Sequence, residues 1–187
     1  AAAPSDAVPA RPANTVVVQG AVGIGTLGIS PQSITVSKPI SLTGQSINIK
    51  LMVPATSKGK LSVMAAPAGQ NPATLTVRLD GVRATDEGLK RGFEYRLYAN
   101  LPRTSESSSN HQSHYLGVIN SFQMGHHAKH GMSISFPISP LAEAQGKDSS
   151  WSSSEVNFSL VSDDEATKTP LVTIEKVQLI LSSSPLM

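Results

Sequence analysis

FEYRLYANL, residues 93–101, puts Phe93, Tyr95, Leu97 and Ala99 on one side of an extended chain and Glu94, Arg96, Tyr98 and Asn100 on the other. A period of two is the signature of a strand with one buried face, because successive side chains of a pleated chain point to opposite sides. The same pattern recurs along the chain. Ile47, Ile49, Leu51 and Val53 alternate with polar residues and Met52 in SINIKLMVP, and Leu75, Val77 and Leu79 alternate in ATLTVRLDG. Met132, Ile134, Phe136 and Ile138 repeat it in MSISFPI, as do Val156, Phe158 and Leu160 in VNFSL.

Two segments add complications. HYLGVINSFQM, residues 114–124, is apolar in both phases and reads as a central strand. Near the C-terminus Val172 and Ile174 hold one phase while Val177, Leu179 and Leu181 hold the other, so a β-bulge is expected at Glu175–Lys176. TVVV, SITVS and KLSVM are weaker strand candidates. Turn chemistry separates the runs at Pro39, Pro54, SKG (57–59), APAGQNP (66–72) and DDEATKTP (163–170). One short helix is expected, with Ser139 as N-cap, Pro140 in the first turn and Gly146 as the stop. The expected fold class is all-β: an antiparallel β-sandwich or distorted barrel of about eight to ten short strands with one short helix. Residues 1–32, Ala/Pro-rich and then Gly-rich, read as an extended tail or linker, and residues 33–187 as the sandwich. Trp151, alone among serines, reads as a plug closing one end of it.

Composition narrows the function. A net charge of +2 with only 4% aromatic residues supplies neither the basic stripe nor the stacking platform of a nucleic-acid binder. No apolar run approaches the length of a membrane span. With no cysteine, disulfides, thiolate metal sites and a cysteine nucleophile are all excluded.

NSFQMGHHAKHGMSISF, residues 120–136, is the chemically richest stretch, with His126, His127 and His130 bracketed by Met124 and Met132. Imidazole suits copper, zinc and nickel, and thioether suits Cu(I), so this set is copper-capable. On a strand His126 and His127 would point to opposite faces, whereas on a helical turn His126 and His130 would share one. Three readings stand open: a solvated hairpin tip, a transient metal loop, or a permanent site. His111 and His114 precede the intervening strand and would join the cluster only if their loop folded back. A self-contained dicopper centre is not expected, because it needs about six imidazoles on rigid helices and the chain has five histidines in all.

Other catalytic signatures are missing. No G-x-S-x-G elbow is present, and GAVGIGTLG, residues 20–28, does not match a phosphate-binding loop. The acid pairs Asp86–Glu87 and Asp163–Asp164 are expected in turns, solvated.

The order of the motifs EYRLYANLP (94–102), HYLGVINSFQMGHHAKHG (114–131) and VTIEKVQLIL (172–181) resembles the C-terminal domain of the tyrosinase and polyphenol oxidase family. Tyr95, Arg96, Leu97, Tyr98, Ala99 and Asn100 lie over the last six positions of that domain's Lys-Phe-Asp-Val-Tyr-Ile-Asn strand in plant members, with Glu94 in place of the Lys. GVINSFQMGHHAKHG lies over a Gly-Ser-Phe-Val-Asn-Val-Pro-His strand that runs into a His/Lys-rich hairpin, with Met124 and Gly125 in place of Val-Pro. SKPISLTGQSINIKLMVP resembles the segment that opens this region, so the resemblance covers about residues 33 to 182.

The resemblance implies a chain that is not catalytic by itself and that comes from a tyrosinase or polyphenol oxidase. Its partner would be a helical catalytic domain holding two coppers, in cis or in trans. The domain would cover the dicopper site, and a His/Met-rich hairpin (His126, His127, His130, Met124, Met132) would assist copper loading. Phe122 or Tyr115 would be the side chain that plugs the active site. Copper would be transient on this chain or resident in the partner, and the protein would be exported to the periplasm or the extracellular space. The rival expectation is an exported β-sandwich binding or assembly module with no copper role.

Overall fold

The computed structural model describes residues 9–19, 21–23, 32–36, 39–52, 73–103, 114–125, 130–138 and 155–183. The expected helix at 139–146, Trp151, His111, His126, His127 and the KLSVM segment lie outside the described residues. The fold is all-β, with two facing sheets that do not close into a barrel. In chain order the strands are β1 (Thr15–Gln19), β2 (Ala21–Gly23), β3 (Gln32–Val36), β4 (Ile40–Leu42), β5 (Ile47–Met52) and β6 (Ala73–Ala84). Then come helix α1 (Asp86–Arg91), β7 (Glu94–Ala99), β8 (Tyr115–Asn120), the one-turn helix α2 (Ser121–Met124) and β9 (Met132–Pro137). The chain finishes with β10 (Glu155–Val161), β11 (Val172–Ile174) and β12 (Lys176–Ser183).

One sheet runs β1-β5-β10-β7-β8; the other runs β2-β3-β12-β6-β11-β4, with β9 on the far side of β6. The core lies between them. Tyr95, Leu97, Ile49, Leu51, Phe158 and Leu160 come from the first sheet, and Leu75, Val77, Leu79, Phe136, Val177 and Leu179 from the second. These are the inward positions of the alternation, and each such side chain contributes about 1.5–3 kcal/mol by leaving water. The weaker candidates TVVV and SITVS form β1 and β3, and β1 pairs in parallel with β5, Thr15 opposite Asn48 and Gln19 opposite Met52.

The phase slip near the C-terminus is shared between two strands. Val172 and Ile174 are buried, as are Val177 and Leu179, and the strand breaks at Glu175. Strand β6 does the same, burying Leu75, Val77 and Leu79 and then Val82 and Ala84. Because Lys176 pairs with Asp80 and Thr173 with Arg83, the two strands turn over at one step without losing register. Gly81 makes this possible: its φ is +62°, and a Cβ there would strike the Glu175 side chain. On the other flank the β6–β9 register shifts between Leu79 and Val82, which is a bulge.

Two expectations are corrected. HYLGVI is the edge strand β8, not a central one. Its two apolar phases come from a register shift against β7, where Leu97 faces Gly117 but Tyr98 faces Tyr115. That shift lets both Leu116 and Ile119 reach the core. Asp86 and Glu87 do not sit in a turn but open α1, where they meet the positive end of the helix after the Thr85 N-cap. Asp163 and Asp164 are exposed as expected, and Asp163 pairs with Arg96 at 3.0 Å.

The outer face of the five-stranded sheet is not simply wet. Asn48, Asn157 and Ser159 are 1%, 3% and 0% exposed. Asn48 Nδ2 donates to Asn157 Oδ1 (3.1 Å), Ser159 Oγ donates to Asn48 Oδ1 (3.1 Å), and Asn157 N donates to Asn100 Oδ1 (2.9 Å). The N-terminal segment crosses this region: Arg11 Nε donates to Leu101 O at 2.9 Å, and Asn14 O accepts from Asn48 N at 2.8 Å.

Tyr95 ties the core to the turn before β5, its hydroxyl accepting from Gly44 N at 2.6 Å. Burial pushes its phenol up to about 12. A folded value above the unfolded one, near 10, means that this stabilisation is complete below about pH 10 and is lost as pH rises through about 12. Tyr95→Phe leaves the buried Gly44 N–H without its acceptor and should cost about 1–3 kcal/mol in urea denaturation. The variant's stability should also fall less steeply than the wild type's at alkaline pH.

Candidate functional site

The site is built where β8 ends. Asn120 stays extended and caps α2, its Oδ1 accepting from Gln123 N at 3.0 Å. Ser121 N donates to Phe93 O at 3.1 Å, and Gly125 N closes the turn on Ser121 O at 3.0 Å. Residues two apart on a helix point about 200° apart. Met124, 1% exposed, is driven into the core, and Phe122, 85% exposed, is driven out. The helix packs against β6 and β8, so the outward aromatic stands on a turn fixed from inside. Leaving a Phe in water forgoes about 1.5–3 kcal/mol of burial, which a partner's apolar surface could recover.

The other plug candidate is elsewhere. Tyr115 begins β8, five residues and about 17 Å of strand from Asn120. It is 37% exposed, with its ring edge-on to Tyr98 at 5.5 Å between centroids. Tyr98 is itself buried with Leu101 in a second, smaller cluster, and burial raises its phenol pKa. The two aromatics therefore serve opposite ends of β8, and Phe122 is the one that projects.

The metal candidates divide in the same way. Met124 is a core residue, Met132 is half-buried and packs on the core, and His130 is exposed. His114 lies at the far end of β8 from α2, its Nδ1 2.9 Å from the Ala99 carbonyl oxygen. Among the described residues no three His, Asp or Glu converge as a metal site. The same residues hold no helix long and apolar enough to cross a membrane.

Two features of this end went unread in the sequence. The first is α1, whose signals were all present: Thr85 as cap, acids then bases along six residues, and Gly92 as the stop. The second is α2 itself, which no periodicity reports because it is a single turn; the residues read as the end of a strand, although Phe122 is already named there.

The comparisons with known proteins bear on the fold. A family profile described as "Domain of unknown function (DUF7868)" matches residues 33–181. No curated protein matches the sequence. Among solved structures, the chain is similar to a recombinantly expressed latent aurone synthase (polyphenol oxidase) co-crystallized with hexatungstotellurate(VI). The TM-score is 0.54 at 13% identity, covering 79% of this chain and 26% of that one. The latent aurone synthase from natural source gives a TM-score of 0.50 at 12% identity with the same coverages. The chain thus spans about a quarter of the length of these neighbours, and what it shares with that part is the fold.

The opposite bearings of Met124 and Phe122 give contrasting expectations. Met124→Ala should destabilise the domain by about 2–5 kcal/mol through the cavity it leaves. Phe122→Ala should stay within about 0.5 kcal/mol of wild type. Thermal and urea unfolding of the two variants would check this.

Proposed function

The chain belongs to the DUF7868 family of domains of unknown function, and from that premise we propose that it is the non-catalytic C-terminal domain of a tyrosinase-like copper oxidase. It covers the dicopper site of a helical catalytic domain, in cis or in trans, and Phe122 is the side chain that occupies the entrance. The observation that carries this reading is Phe122 itself: an aromatic 85% exposed, on a turn anchored by core Met124, in a fold shared with part of a latent polyphenol oxidase. Tyr115 is the weaker choice, since its ring is already engaged with Tyr98. Copper resides in the partner, and export to the periplasm or extracellular space belongs to the same reading.

The histidine segment directly follows the Phe122 turn. His126, His127 and His130 supply imidazoles that suit copper in transit toward the covered site. Met124 serves chiefly as the anchor of the turn, and Met132, half-buried, is the thioether nearer the surface.

Two experiments test the proposal. Titrated into its cognate helical oxidase domain, the purified chain should suppress catechol oxidation. Phe122→Ala should raise the concentration needed by about 10- to 100-fold, the equivalent of losing one buried Phe. No suppression by the wild-type chain, or equal suppression by both, would sink the lid role. Separately, Cu(I) and Cu(II) are titrated into the chain and into a variant with His126, His127 and His130 replaced by Ala. Tighter binding by the wild type supports copper loading, and equal binding favours the rival binding or assembly module. Copper and catechol added to the chain alone should yield no quinone above a metal-only control.

A further inference from the structure

The outer face of the five-stranded sheet carries a strap. Arg11 N donates to Pro102 O at 2.8 Å and Arg11 Nε to Leu101 O at 2.9 Å, while Asn14 O accepts from Asn48 N at 2.8 Å. Asn100 N donates to Asn157 O at 2.7 Å, which keeps the chain after β7 beside β10. Strand β10 lies between β5 and β7, so residues 11–14 cross over it. Two strand spacings make about 10 Å, which the step from Arg11 to Asn14 covers only when almost fully extended. The crossing is at the Leu101 end of β7. The Phe122 turn stands at the other end, where Glu94 pairs with Asn120.

What lies under the strap is polar and already satisfied. Asn48, Asn157 and Ser159 are at most 3% exposed. They bond to one another, and Asn157 Nδ2 donates to Glu155 Oε1 at 3.3 Å, while the other oxygen of that carboxylate pairs with Lys50 at 2.7 Å. These bonds use no strap atom and survive its departure. A layer buried for good gains by being apolar, whereas hydrogen-bonded amides and hydroxyls are rewetted at little cost.

The hold on the strap is correspondingly light. No described residue from 9 to 17 is fully buried; Val16 is half-buried against the core and Val17 is 60% exposed. The continuation of the strap, β1, joins β5 in parallel, which is slightly weaker per residue than antiparallel pairing. Burial lowers the Arg11 pKa, so the closed strap holds its cation at a cost, which Glu155 offsets and Arg103 increases.

We propose that residues 11–14 form a displaceable strap, pinned by Arg11, which opens from the Asn48–Asn157–Ser159 face while the sandwich beneath stays folded. The strap decides when Leu101 O, Pro102 O and Asn48 N–H, main-chain groups suited to an extended peptide, become available. This device is independent of the lid reading, since the strap and Phe122 lie at opposite ends of β7.

Native-state hydrogen exchange of the full chain in low urea tests it. The Arg11 and Asn48 amides, whose bonds join the strap to the sheet, are expected to exchange at least about 100-fold faster than the Ile138 amide, bonded to Leu75 O, and with little urea dependence. Met124→Ala weakens the core and should speed Ile138 at least about tenfold while leaving Asn48 at its wild-type rate. Arg11→Ala should speed Asn48 by about 2- to 10-fold, the loss of one hydrogen bond. If Asn48 exchanges in step with Ile138, both in urea dependence and in Met124→Ala, the strap opens only with the whole fold and the inference is overturned. An unchanged Asn48 rate in Arg11→Ala removes the pin and overturns it equally.

Discussion

Strand β6 has to serve three neighbours, and it can do so only because its backbone turns over at Asp80–Gly81. Its first half gives Leu75, Val77 and Leu79 to the core beside β12, and its second half gives Val82 and Ala84 beside β11. With an unbroken period of two, one of those halves would face water. The solution needs a residue without a side chain opposite Glu175, and the sequence provides Gly81. The turnover keeps β9 and β11 on opposite edges of β6 with their apolar faces inward. Through β9 and α2 it fixes the end of the sandwich where the candidate site stands.

That end is organised by opposition. A single helical turn cannot bury itself, so its stability comes from Met124 reaching the core and from the Asn120 cap. The same geometry obliges Phe122 to face outward. The aromatic is presented by the most strongly anchored part of the segment, and the histidines follow immediately in sequence.

Most of the architecture was legible in the sequence because burial on one face leaves a clear imprint. Phe93, Tyr95, Leu97 and Ala99 are all inside, as their alternation required, and so are Val156, Phe158 and Leu160. Legibility failed where a register shift mimicked another pattern: Leu116 and Ile119 looked like two-sided burial and mark a bulged edge strand. It failed again at Asn48, Asn157 and Ser159, since alternation marks polar positions as outward but cannot say whether another layer lies beyond them. The resemblance offered Phe122 and Tyr115 alike, and nothing in the sequence distinguished the 85% exposure of the first from the 37% of the second. The acids of α1 were misplaced because six residues are too few for a helical period to show against the strands on either side.

Strand β1 has a bearing on how the chain must be kept whole. It pairs in parallel along β5, from Thr15 opposite Asn48 to Gln19 opposite Met52, and so caps the row of peptide groups on that side of the five-stranded sheet. Without it, the backbone groups of INIKLM on that side would lack their strand partner. These five residues precede the region that the family profile matches, yet they supply the outermost strand of the described five-stranded sheet, so the apolar seam of β5 is covered by chain that the profile does not include.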